Sequence, residues 1–275
     1  MATSAPLLPG STARAIPRAP FPWRAIAWAI VVLVVAAWSA HGIGFDGAAF
    51  INGWPQMTAY FAKLMPWSGR GWPLAYASEI TARMAETLKI SLSATVLGVG
   101  AALPFVLVGT RPLAPGNVTY QVARALLNLI RTIPDLVLAA LLVAGLGLGP
   151  LPGMLALAIL TFGIIAKLLA DAIETLDLGA LEAIEAVGGT RLQGALFAVW
   201  PAIQSQFWSF TLYCLEVNVR VAAVLGLVGA GGIGQILIRD INFFKYGRVG
   251  MIIAATFLVV FIIDTISGYV REKLK

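Results

Sequence analysis

The feature that most limits this chain is a series of apolar runs separated by short clusters of glycine, proline and charge. Residues 25–40 are apolar apart from Ser39, and further runs cover about 80–109, 122–148, 201–225 and 249–270, with another from just after Pro150 and Pro152 to about Ala170. A helix rises 1.5 Å per residue, so roughly 20 apolar residues cross the hydrocarbon of a bilayer. An all-α integral membrane protein of about six spans follows. Composition agrees, with 59% hydrophobic and 12% charged residues among 275 and a mean hydropathy of +0.88. No stretch is polar enough for a separate soluble catalytic domain.

The spans divide the chain. Residues 1–23, rich in Pro, Ala and Ser with two arginines, read as a disordered tail. Residues 24–40 read as an uncleaved anchor, because bulky Trp38 stands where a processing site wants small residues. Residues 41–78, with Trp54, Trp67 and Trp72, suit an interfacial loop or a short helix at the headgroups on the outer face. Residues 79–271 form the core, with a charged loop at about 172–200, and 272–275 close the chain. An even span count puts both tails on one side, and their arginines and lysines make that side the cytoplasm. Lys63, Arg70, Arg239, Lys245 and Arg248 then fall outside, so the tails decide the orientation. Arg271, Lys273 and Lys275 read as anchors to anionic headgroups.

Several function classes fall away. The net charge of +6 comes from cations that flank the spans rather than from a basic stripe interleaved with aromatics, which argues against nucleic acid. One Cys (Cys214) and one His (His41) cannot build a Cys/His zinc site or an intrachain disulfide. A membrane-embedded enzyme would need a nucleophile with its base, or a metal cluster, at membrane depth. The segment Gly229-Ala230-Gly231-Gly232-Ile233-Gly234 matches a dinucleotide fingerprint in letters, but no βαβ context surrounds it. It reads instead as close packing or a flexible turn. With no Walker A motif, ATP hydrolysis would need another chain. The absence of an internal repeat favours a path built between two copies of the chain.

Charge within the membrane is expensive, so ionisable groups at depth are functional candidates. Arg131 with Asp135, Lys167 with Asp171 and Glu216 with Arg220 are spaced i,i+4, which places each pair on one helical face. Arg131 and Asp135, separated by Pro134, fit a path role or a structural one. Lys167 and Asp171 lie near a helix end, where snorkelling to the interface is the simpler reading. Glu216, Asn218 and Arg220 sit deeper and fit either a path or gate, or a buried structural pair.

In the charged loop, Glu182 and Glu185 lie one turn apart, Gly188-Gly189 breaks the helix, and Leu192, Ala195, Leu196 and Val199 resume an apolar stripe. Two short helices with a glycine hinge on the cytoplasmic side are expected, as an interfacial connector or a docking element. The run Glu182-Ala183-Ile184-Glu185-Ala186-Val187-Gly188, with Trp200-Pro201 farther on, resembles the EAA loop of permease subunits of bacterial ABC importers. Glu182, Ala183, Gly188 and Pro201 match in register, while Ile184 and Trp200 depart from the family's Ala and Leu. The resemblance spans about residues 80–270. It implies a type I ABC importer permease fold, a homodimer, two ABC ATPase subunits that carry ATP and Mg, and an extracytoplasmic substrate-binding protein, with no cofactor bound directly. It also implies that Glu182, Ala183, Glu185, Ala186, Gly188 and Gly189 couple to the ATPase.

Ile130-Arg-Thr-Ile-Pro-Asp135-Leu and Glu216-Val-Asn-Val-Arg220, followed by residues 224–234, look like the phosphonate branch of that family, whose cargo is phosphonate, phosphite, hypophosphite or phosphate. An oxyanion path profits from cations, which singles out Arg220 and then Arg131. A permease for another small solute, such as an amino acid, is the alternative within the family.

Overall fold

The computed structural model describes residues 23–44, 47–65 and 72–274. The expected tail, apart from Trp23, lies outside them, as do Trp67, Arg70 and Lys275. The described residues form helices and turns without a strand. The chain divides after Thr58 into two units.

In the first unit, α1 (Trp23–Gly42) is apolar on all sides and buries no residue, as expected of a helix whose solvent is lipid. α2 (Gly47–Leu64) begins in this unit. It supplies the short helix expected after the anchor.

The second unit contains α3 (Ala77–Gly109), α4 (Asn117–Thr132), α5 (Asp135–Leu146), α6 (Pro150–Glu174), α7 (Gly179–Ala186), α8 (Arg191–Gly194), α9 (Trp200–Leu225), α10 (Ile233–Asn242) and α11 (Tyr246–Lys273). α3 and α6 form its spine. Small residues let them approach: a Cβ on Gly98 would lie 2.5 Å from Thr161 Cβ and 2.6 Å from the Ala158 carbonyl oxygen.

The expected third span is broken. Pro134 has no N–H to donate and its ring pushes Ile133 into an extended conformation (φ −76°, ψ 123°), so α4 and α5 meet at 86°. Whether such a pair crosses or re-enters follows from its neighbours. The Arg111 amide donates to Glu174 at 3.1 Å, which brings the C-terminal ends of α3 and α6 together. At the other end, a Cβ on Gly231 would lie 3.1 Å from both Glu86 Oε1 on α3 and Pro150 Cα on α6. The two helices are therefore parallel, and the chain between them must return across the membrane. α4 passes beside Glu174 at Arg124, midway along its length, and just past α5 the Gly149 amide donates to the Gly229 carbonyl at 3.0 Å. The bent pair is thus one span. With α1, α3, α6, α9 and α11, the described residues hold six helical segments long and apolar enough to span a membrane.

The fifth span begins earlier than the apolar run indicates. α8, a π turn at Ala195–Val199 and α9 run without interruption, so the expected second short helix of the charged loop is the first turn of this span. Pro201 does not stop it, because the π turn ahead of the proline opens the ladder where its ring would clash.

Candidate functional site

α9 carries the deep polar residues. Glu216 and Arg220 share a face, and Asn218, half a turn round, points the other way. The Asn218 amide donates to Thr95 Oγ1 at 2.8 Å and to Thr161 Oγ1 at 2.7 Å, which ties α9 to α3 and α6 inside the core. Glu216 is 6% exposed at its side chain and pairs through Oε1 with Arg220, which is 50% exposed. Its second oxygen accepts a hydrogen bond from Arg271 Nη2 at 2.8 Å. Arg271 was expected among the headgroups. It turns inward instead and gives the second oxygen of the buried Glu216 carboxylate a hydrogen-bonded counter-charge, without which that oxygen would stay unpaired.

Arg220 lines two clefts. One, of about 380 Å³, lies between α9, α10 and α11 and is apolar apart from Arg220 and Thr256, with Leu227, Ile253 and Phe257 on its walls. The other, of about 500 Å³, is walled by Pro134, Asp135 and Leu136 at the start of α5 and by Val221 and Val224. The structure thus brings Asp135 and Arg220, 85 positions apart, to one cleft. Arg131 and Asp135 are both exposed, and among the described residues no ion pair joins them, since Pro134 turns the chain between them. Asp135 instead opens α5, where the helix dipole favours a carboxylate. Arg131 packs its stem against Gly163 of α6.

Lys167 reaches Asp171 at 3.1 Å, and Arg124 reaches Asp171 and Glu174 at 2.7 Å each. This network straps α4 to the end of α6. The sequence reading missed Arg124, whose partners lie 47 and 50 positions away.

The charged loop presents a free face. α7 buries Leu181 against Gly194, while Glu182, Ala183, Glu185 and Ala186 are exposed, and neither glutamate forms an ion pair among the described residues. Gly188 ends the helix with φ +82°, a conformation an L side chain adopts only under strain. The Gly189 amide donates to the Ile184 carbonyl at 2.9 Å, and a Cβ there would strike that carbonyl. Thr190 and Gln193 then form a capping box that starts the next span: the Gln193 amide donates to Thr190 Oγ1 at 3.3 Å and the Thr190 amide to Gln193 Oε1 at 2.7 Å.

At the opposite end, the glycine-rich segment is a packed turn. The Ile233 amide donates to Thr87 Oγ1 at 2.8 Å, which pins the segment to α3. Arg239 on α10 pairs with Glu79 at 3.0 Å and donates to the Tyr76 hydroxyl at 2.6 Å, next to fully buried Asp240. Partial burial works against the Arg239 charge, but the hydrogen bond to Glu79 and the neighbouring Asp240 outweigh it, and its pKa rises above the ordinary arginine value. No pattern in the sequence marks this cluster.

Among the described residues, no group of His, Cys, Asp and Glu could hold a metal ion. What the arrangement can do is present a positive group to a small anion between helices, while α7 offers an exposed face.

The comparisons with known proteins agree with that architecture. The chain is 34% identical over 254 residues to the phosphite transport system permease protein PtxC of Stutzerimonas stutzeri, covering 92% of this chain and 90% of that protein. It is 38% identical over 190 residues to the phosphate-import permease protein PhnE of Mycolicibacterium smegmatis, a match that covers 69% of this chain but only 36% of that longer protein. Among solved structures, an inward-facing form of the MetNI methionine ABC transporter superposes with a TM-score of 0.61 at 21% identity, covering 71% of this chain and 96% of that one. That likeness establishes the fold, that of type I ABC importer permeases. Residues 94–275 match the family described as the inner membrane component of binding-protein-dependent transport systems, and the chain belongs to this family.

Proposed function

We propose that the chain is the permease subunit of an ATP-driven importer and forms the path for phosphonate or a related phosphorus oxyanion. Two copies surround the path. Two ATPase chains, which hold ATP and Mg, dock on α7, and a binding protein delivers cargo from outside. Residues 24–40 anchor the chain, 41–78 face outward, 172–200 face the cytoplasm, and the terminal segments 1–23 and 272–275 are cytoplasmic.

The observation that carries this reading is the placement of Arg220. A guanidinium matches the paired oxygens of a phosphorus oxyanion, and here it stands half exposed at the meeting of two clefts, in a chain whose relatives are named for phosphate and phosphite. Alternating access supplies the mechanism. Closure of the ATPase pair displaces α7, whose Leu181 is seated on Gly194. From Arg191 to Arg220 the span is roughly 43 Å of continuous helix, a rigid lever from the docking loop to the clefts. The Asn218 clamp and the Arg124 strap make α3, α4 and α6 move with α9 rather than slide past it.

Uptake by cells that express the chain with its ATPase and binding protein tests the cargo. Labelled phosphite, phosphate or methylphosphonate should accumulate, unlabelled members of the set should compete, and methionine should not. Uptake blocked by an amino acid and indifferent to all phosphorus oxyanions would refute the cargo class.

A further inference from the structure

The buried carboxylate of Glu216 has two guanidinium partners, and they are not equivalent. Arg220 takes one oxygen and faces both clefts, whereas Arg271 takes the other, is 28% exposed and lines neither cleft. Arg271 reaches this place from the last turns of α11. Its Nε donates to the Ser267 carbonyl at 3.3 Å, so the side chain runs back along its own helix towards the membrane interior. Ser205 donates to the Leu274 carbonyl, which holds the end of α11 beside the start of α9.

This arrangement answers a difficulty in the path itself. If Arg220 were the only partner of Glu216, turning to an anion in the cleft would strip a 6% exposed carboxylate of its counter-charge, and such a carboxylate strongly resists that. With Arg271 on the second oxygen, the carboxylate stays neutralised while Arg220 exchanges it for cargo. The triad carries one negative and two positive charges, so the arrangement retains a net charge of +1 to offer an anion.

We infer that Arg271 is the resident counter-ion of Glu216, a positioning residue that frees Arg220 to engage the oxyanion in transit. The inference rests on Arg220 facing the path. Arg271 does not touch cargo. Its role is to set how tightly Glu216 holds the group that does.

Uptake of labelled phosphite by cells carrying the full transporter, normalised to the permease in the membrane, tests this with three variants. Arg271→Met leaves Arg220 as the sole partner of Glu216, and uptake should fall about tenfold to about a hundredfold, the range expected when a charge-assisted hydrogen bond must be broken without replacement. Glu216→Gln with Arg271→Met retains the net charge of +1 but no longer restrains Arg220, and uptake should return to within about threefold of the native chain. If Arg271 only fastened α11 to α9, the second change would restore nothing, because the tether would still be missing. Native-like uptake by Arg271→Met, or no recovery in the double variant at normal membrane levels, would overturn the inference. Should Arg271→Met fail to accumulate, the double variant decides alone, and its failure to accumulate would assign Arg271 to folding and overturn its role as counter-ion. Glu216→Gln with Arg220→Met tests the underlying reading separately. Native-like uptake there removes Arg220 from the path, whereas lost uptake there together with native-like Arg271→Met overturns only the role of Arg271.

Discussion

Gly98→Ala tests the spine of the fold with a single methyl group. The added Cβ would stand 2.5 Å from Thr161 Cβ and 2.6 Å from the Ala158 carbonyl oxygen. Carbon atoms rest about 3.5 to 4.0 Å apart, so α3 and α6 must separate by about 1 Å. Overpacking of this kind costs about 1 to 3 kcal/mol. The same movement lengthens the Asn218 hydrogen bonds to Thr95 and Thr161, now 2.8 and 2.7 Å, and interhelical bonds in membranes contribute about 0.6 kcal/mol each. The sum is roughly 2 to 4 kcal/mol, or a fall in melting temperature of roughly 5 to 15 °C for a chain of this size. The single Cys214, 1% exposed, provides the assay, because a thiol-reactive dye in detergent reports its uncovering on heating. Gly100→Ala, where nothing lies within 4 Å of the new Cβ, is the matched control and should melt at or slightly above the native temperature. A Gly98→Ala chain that melts within about 1 °C of native would refute the close approach of α3 and α6, since even the lower end of that range predicts several degrees.

Other outcomes follow from the same contacts. Gly188→Leu forces an L side chain into φ +82° in a segment with open space around it, so the protein should insert and accumulate but lose binding-protein-stimulated ATP hydrolysis. Undiminished coupling would reduce α7 to a connector. Because α3 and α6 are parallel, reporters after Gly116 and after Gly188 must lie on one side of the membrane and a reporter after Gly149 on the other, and labelling of the Gly116 and Gly149 sites from the same side would mean that the α4 and α5 pair re-enters instead of crossing. A reporter fused after Lys275 should share the side of the one after Gly188.

The spans were legible because a bilayer demands long apolar runs, and no folded partner is needed to see them. Pro134 and Gly188 were legible for a similar reason: each acts through its own backbone, and the break at Ile133 and the end of α7 at Ala186 fall beside them. The i,i+4 rule paired Glu216 with Arg220 and Lys167 with Asp171 correctly, since both pairs lie on unbroken helices. It failed for Arg131 and Asp135, where the proline rotates one face away from the other. Arg271 was hidden because its partner is 55 positions away and its place in a basic tail matched a headgroup anchor. Asn218 could be seen as polar at depth, but its direction depended on Thr95 and Thr161, which look like ordinary span residues until three helices meet. Tyr76, Glu79, Arg239 and Asp240 gave no signal, because a cluster assembled from two distant segments leaves no spacing to read.

The most direct measurement is ATP-driven uptake of labelled phosphite into proteoliposomes that contain the permease, its ATPase and its binding protein, with the native chain set beside Glu216→Gln with Arg220→Met. The native chain should accumulate phosphite only when ATP is supplied on the side that the ATPase faces. This double variant, which keeps Arg271 but lacks the Arg220 guanidinium, should insert and still show ATP hydrolysis stimulated by the binding protein, but carry phosphite at least about tenfold more slowly, the effect of removing one charge-assisted contact from the path. Equal accumulation by the two, at equal amounts of folded protein, would contradict an oxyanion path past Arg220.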